Sequence, residues 1–145
     1  MVHAVLERMS SGYENIMFIP LQPLDRLNEL LNLADVHLLP QRAGVEDLVM
    51  PSKLINMLAS GRPVIAIASA GSQIERVVHA TGCVVEPGDL NGFVSGIEQF
   101  ADNADLRRRL GQQGREFAVR NLAKEAILSQ AFSKYITHTQ HLTSN

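Results

Sequence analysis

Residues 51–68 read PSKLINMLASGRPVIAIA, and this stretch decides the fold. Ser52 to Ser60 reads as a helix that is apolar over most of its circumference. It stops at Gly61, and Pro63 cannot continue it. Val64 to Ala68 follows as a strand, β-branched and apolar on both faces. Such strands are usually central and parallel, with helices covering each side. A helix, a three-residue break and a buried strand form the second half of a βαβ unit. The flanking sequence repeats the alternation. Val36 to Leu39 is a short strand ended by Pro40. Leu24, Leu27, Leu30 and Leu31 recur at helical spacing, with Asp25, Arg26, Asn28 and Glu29 on the other face. Ile16 to Ile19, before Pro20, reads as a further strand. On the other side, Ser72 to His79 is a helix opening on Ser72 and Glu75, a capping-box spacing. Cys83 to Glu86 makes the count four strands. Asp89 caps Leu90 to Ala101, and Asn103 caps a second short helix ending near Gly111. Arg115 to Ile136 is helical with a kink at Asn121, and residues 138–145 form a frayed tail.

Composition sets the limits. A length of 145 residues fits one domain, or part of a larger one. With 46% apolar residues, a core can form and disorder is excluded for most of the chain. The formal charge of −2 argues against nucleic acid as an obligate partner. The lone Cys83 excludes an internal disulfide framework and a cysteine zinc cluster. The longest apolar stretch, Pro63 to Ala70, is far short of the roughly 20 residues that span a bilayer. Glu7, Arg8 and Ser10 interrupt any signal-peptide core. The expectation is a soluble, cytoplasmic α/β domain.

In open parallel sheets, ligands bind beyond the carboxyl ends of the strands. Four loops are therefore of interest: Pro20–Pro23, Pro40–Pro51, Ser69–Ser72 and Pro87–Asp89. The Pro40–Lys53 loop is long for a connection of this kind. It enters its helix at Pro51-Ser52-Lys53, where first-turn amides form an anion site and Lys53 adds positive charge. Lys53, Asn56 and Ser60 make a polar stripe that fits a phosphate near Ser52 and a sugar hydroxyl near Asn56. An ordinary N-cap with a solvated face explains the same spacing. Ala70-Gly71-Ser72 opens another helix, as a second anion site or as a tight turn with a cap. No GxGxxG or GxxxxGK[ST] pattern is present, which leaves a dinucleotide fold or P-loop unsupported. Glu46-Asp47 is the one adjacent acid pair in these loops, readable as a base, a ligand or a solvated loop. His138 and His141 lie in the tail, so no metal site is expected. Arg107, Arg108, Arg109 and Arg115 form a basic run, by default a solvated face, with an anionic membrane surface as the alternative.

The segment from Ala34 to Asp89 resembles the donor-binding half of GT-B glycosyltransferases of the group 1 (family 4) type. The resemblance is carried by ADVHLLP (34–40), PSKLINMLASGRPVIA (51–66), GSQIERVV (71–78) and GCVVEPGD (82–89). The longer phrase GVEDLVMPSKLINMLASGRPVIA is similar to sugar transferases of colanic acid and related exopolysaccharide clusters. The resemblance implies a Rossmann-like three-layer domain with a mostly parallel sheet of about four strands, the C-terminal half of a GT-B fold. It spans residues 1–137, with its first strand expected before Val2. It implies a nucleotide-diphosphate sugar, UDP- or GDP-linked, as donor, with no cofactor and no metal. Pro20, Leu21 and Gln22 would lie near the base. The turn from Leu48 through Pro51 and Ser52 to Lys53 would offer amides to the diphosphate. Asn56 would face the ribose, and Gly71 and Ser72 would flank the cleft.

Two departures bear on activity. Leu48 and Asn56 stand where the family commonly carries two glutamates, so no catalytic residue is assigned. Asn56 can still hydrogen-bond a hydroxyl, without charge. No acceptor domain is recognisable, so retaining hexosyl transfer by this chain alone is not expected. A separate acceptor-binding domain would complete the enzyme and bring it near a membrane through its acceptor. A stand-alone, non-enzymatic binding module is the alternative reading. Phe117, Leu122, Ile127, Phe132, Tyr135 and Ile136 would need a surface to bury against, which predicts a homo-oligomer.

Overall fold

The structure, a computed structural model, describes residues 2–40 and 52–122. In chain order the elements are α1 (Val2–Met9), a 3-10 turn at Leu24–Arg26 running into α2 (Leu27–Leu33), β1 (His37–Leu39), α3 (Ser52–Ala59), β2 (Val64–Ile67), α4 (Gln73–Val78), β3 (Gly82–Val85), α5 (Leu90–Asp102) and α6 (Ala104–Phe117). A π-helical turn, Ala118–Leu122, continues α6. The three strands form one parallel sheet in the order β1-β2-β3, with Val64 opposite both His37 and Gly82.

Among the described residues the sheet has three strands, where four were expected. Ile16–Ile19 lies outside the sheet, and all four of its residues are exposed. An apolar run becomes a strand only when a neighbour accepts its backbone hydrogen bonds, and periodicity over four residues carries no information about the neighbour. The helix α1 was not foreseen. The helix after Asn103 was expected to end near Gly111 and continues to Phe117. A helix-interior glycine costs only about 1 kcal/mol, and here it has a packing use. A Cβ on Gly111 would run into the Gly61 carbonyl oxygen, so glycine lets α6 cross directly over the turn between α3 and β2.

Side-chain alternation along β2 divides the core. Val64, Ala66 and Ala68 face one side, packed with Leu54 and Leu58 of α3, Ile74, Val77 and Val78 of α4, and Ala118. Ile65 faces the other side with Val85 and Phe100, joined by Phe93, Leu106 and Leu110. Helices thus cover both faces, as a strand apolar on both faces requires. On the second face α5 approaches closely: a Cβ on Gly96 would lie 3.2 Å from Cys83 Sγ. The helix α6 starts against this second cluster at Leu106 and Leu110. It then passes under the amino ends of the strands, and its π-helical extension enters the first cluster at Ala118.

Three caps match their sequence signals. Ser72 Oγ accepts the Glu75 N–H at 3.0 Å, Asp89 Oδ1 the Gly92 N–H at 2.9 Å and Asn103 Oδ1 the Leu106 N–H at 2.9 Å. Each satisfies one amide that the first helical turn leaves over, worth about 1 kcal/mol.

Candidate functional site

A parallel sheet gathers all its carboxyl ends at one edge, so the connections after β1, β2 and β3 meet there. Residues 41–51, which include Glu46, Asp47, Leu48 and the expected site residue Pro51, lie outside the described residues. Ser52 and Lys53 begin α3 at this edge, and both are exposed. The first turn of α3 has no acidic residue. Lys53 therefore sits among amides that already carry the positive end of the helix dipole, an arrangement unfavourable by itself and relieved by an anion. Asn56, three residues on and exposed, shares the face of Lys53.

Ser60 does not continue that stripe. Its hydroxyl donates to the Met57 carbonyl at 2.6 Å and lies 3.0 Å from His37 Nε2. With the hydroxyl proton given to Met57, the imidazole donates from Nε2. This pair sits at the amino end of β1, a helix length of roughly 12 Å from Ser52. Lys53 and Asn56 are both exposed, whereas Ser60 is taken up by His37, a residue 23 positions away. Burial, and then the charge of Arg62, hold the His37 imidazole below its ordinary pKa.

After β2, Ser72 N–H closes a turn onto the Ser69 carbonyl at 3.2 Å. Gly71, exposed with φ +79°, makes that turn without strain. Among the described residues, nothing lies within 4 Å of where its Cβ would be. The Ser72 oxygen is engaged as a cap. After β3, a hollow of about 140 Å3 is lined by Ile67, Glu86, Gly88, Asp89, Leu90 and Phe93. Glu86 and Phe93 were not among the expected site residues; an acid directly at a strand's carboxyl end was the available signal.

Pro20 and Leu21 are exposed, Leu21 completely. Gln22 Nε2 donates to the Pro20 carbonyl at 2.9 Å, and Gln22 lines a separate hollow of about 210 Å3 with Ile19, Arg26, Glu29, Leu30 and Leu33. The two hollows share no residue. The structure thus places Ser52, Lys53, Gly71 and Ser72 at one sheet edge, and leaves Pro20, Leu21 and Gln22 on a segment that is not part of the sheet. Cys83 is half-buried, and burial raises its thiol pKa, so it is no nucleophile at neutral pH.

The sequence model for glycosyl transferases group 1 matches residues 6–117, which takes in every strand and the helices α2 to α6 of the fold just described. The chain belongs to that family. Among proteins it is similar to, WcaI of Escherichia coli K12, named for colanic acid biosynthesis glycosyl transfer, is 37% identical over 132 residues. The lipopolysaccharide core biosynthesis glycosyltransferase LpsE of Rhizobium meliloti is 34% identical over 95 residues. These matches take in 88% and 61% of this chain, which spans 31% and 28% of the two relatives' lengths. Sucrose-phosphate synthase from Thermosynechococcus elongatus superposes with a TM-score of 0.72 and 24% identity, covering 97% of this chain and 34% of that one. That likeness speaks to the fold: a Rossmann-like GT-B arrangement, matched over about a third of the neighbour's length. Among the described residues, no helix is long and apolar enough to cross a membrane.

Proposed function

We propose that this chain is the part of a polysaccharide glycosyltransferase that binds a nucleotide-diphosphate sugar. The observation that carries the reading is the first turn of α3, where exposed Ser52 and Lys53, with no acidic residue beside them in that turn, stand at the carboxyl edge of the sheet. A diphosphate there would accept the amide protons and neutralise Lys53. Asn56 would take a ribose hydroxyl, and the sugar would lie beside Gly71. The relatives' names, for colanic acid and lipopolysaccharide core, support an exopolysaccharide-type pathway. We further assign the chain to the cytoplasm, a compartment in which its single, half-buried thiol suits the redox conditions. Transfer would need acceptor-binding groups beyond those described, so the chain alone is expected to bind donor without turning it over. Such transfer would be retaining, driven by stabilisation of the leaving diphosphate and without metal.

The test is calorimetric titration of the folded chain with UDP, GDP and ADP. One of them should bind saturably, and Lys53→Ala should weaken it about tenfold, as expected for a lost charge-assisted hydrogen bond. Unchanged affinity in the variant removes Lys53 from the site. No binding by any of the three favours the second reading, a non-enzymatic module that associates with itself. That reading is supported by an exposed apolar run in which Tyr13 is 64% and Met17 83% accessible. Light scattering that shows a clean monomer at tens of micromolar excludes it.

A further inference from the structure

At the opposite, amino-terminal edge of the sheet lies a concavity of about 570 Å3, lined by Asp35, Gly61, Arg62, Pro63, Ala104, Arg107, Arg108 and Gln112. We propose that this concavity is a second anion site, one that takes a phosphate-bearing ligand on Arg62, Arg107 and Arg108. Three guanidiniums and one carboxylate, Asp35, line it, with Asp105 paired to Arg108 at the rim, in a chain whose formal charge is −2. The concentration of positive charge is therefore local and not a property of the whole surface.

The site is assembled by the crossing of α6 under the strands, which glycine at 111 permits. The crossing brings Arg107 and Arg108 to the Gly61–Pro63 turn, more than 40 residues away in sequence. Each arginine is held by the backbone or a neighbour and keeps donors to spare. Arg107 Nη1 donates to the Ala101 carbonyl at 2.9 Å and to that of Phe100, which fixes the guanidinium over the end of α5. Arg62 Nη2 donates to the Asn32 carbonyl at 3.2 Å, whereas its buried Nε–H has no partner among the described residues. Arg108 pairs with Asp105 on the exposed rim. The Asn103 cap takes the Leu106 amide, and Ala104, the first residue of α6, lines the concavity beside the arginines. Guanidinium forks are the donor set that suits phosphate oxygens.

The ligand chemistry is shared by a soluble phosphate compound and an anionic lipid headgroup, and the experiment has an arm for each. The whole chain is titrated calorimetrically with inorganic pyrophosphate, alongside Arg62→Gln, Arg108→Gln and Arg109→Gln. The last removes equal charge outside the concavity. A saturable binding event that each of the first two variants weakens about tenfold and Arg109→Gln leaves unchanged is expected, and it persists in Lys53→Ala, where any separate pyrophosphate binding at the donor edge is lost. In the second arm the same proteins are co-sedimented with phosphatidylcholine vesicles containing phosphatidylglycerol. Vesicle binding that requires Arg62 and Arg108, without pyrophosphate binding, identifies the ligand as a lipid headgroup. Binding in neither arm, equal loss in Arg109→Gln, or loss only in Lys53→Ala overturns the proposal. Should Arg62→Gln fail to fold, the exposed Arg108 carries the same comparison. Because Lys53→Ala addresses the other sheet edge, the donor reading and this one fail separately.

Discussion

Two regions of the chain carry similar apolar sequence and have opposite fates. From His37 onward, leucines at helical spacing are sealed: Leu54 and Leu58 of α3 are wholly buried. In the segment before it, Leu24 is 85% and Leu33 77% exposed, and the 3-10 turn and α2 bury no residue. Both stretches announce an amphipathic helix equally well. The difference lies in what each helix meets. The helix α3 lies on a three-stranded sheet, whereas α2 touches the rest through its flank, as at the bond from Arg62 to the Asn32 carbonyl. An apolar stripe specifies that a helix needs a surface and does not supply one.

The largest effect that tests this contrast is Phe100→Ala. Phe100 is 1% exposed and fills the second cluster, so its loss should cost about 3–5 kcal/mol in urea unfolding. Gly111→Ala probes the crossing of α6 at backbone contact and should cost about 1–3 kcal/mol, against the gain that alanine brings to an ordinary helix. Ser72→Ala removes an N-cap and should cost about 1 kcal/mol. A smaller, pH-dependent effect belongs to His37. Its folded pKa lies below the value of about 6.5 that it takes when unfolded, so its contribution is intact above that pH. As pH falls below about 6.5 the unfolded chain binds the proton first, and stability is lost down through the folded pKa. Replacement by glutamine should flatten the acid limb of the stability profile. At the small end, Leu33→Ala should change stability by no more than about 0.5 kcal/mol. A cost for Leu33→Ala comparable to that of Phe100→Ala would break the contrast, since it would show Leu33 buried in solution.

Much of the sheet was legible because its signals are local. Gly61 and Pro63 end α3, Val64–Ile67 is apolar at every position, and Ser72, Asp89 and Asn103 each cap the helix they precede. Half of the candidate site was legible for the same reason. Ser52, Lys53 and Gly71 sit where helix starts and strand ends must place them. Ser60 was misread because its partner, His37, is distant in sequence. Ile16–Ile19 was misread because a strand is defined by its neighbour. The basic run at Arg107 and Arg108 read as a solvated face because its companion, Arg62, lies 45 positions earlier.

The amino-acid sequence alone therefore determined the parallel α/β architecture, the capped helix starts and the family. Each depends on contacts within a few residues or on short motifs. Only the tertiary structure decided which apolar residues are buried, which polar residues are already spoken for, and that two edges of one sheet carry outward-facing positive charge. Those outcomes depend on pairs far apart in sequence, brought together by a helix that crosses beneath the sheet, and local patterns hold no record of such pairs.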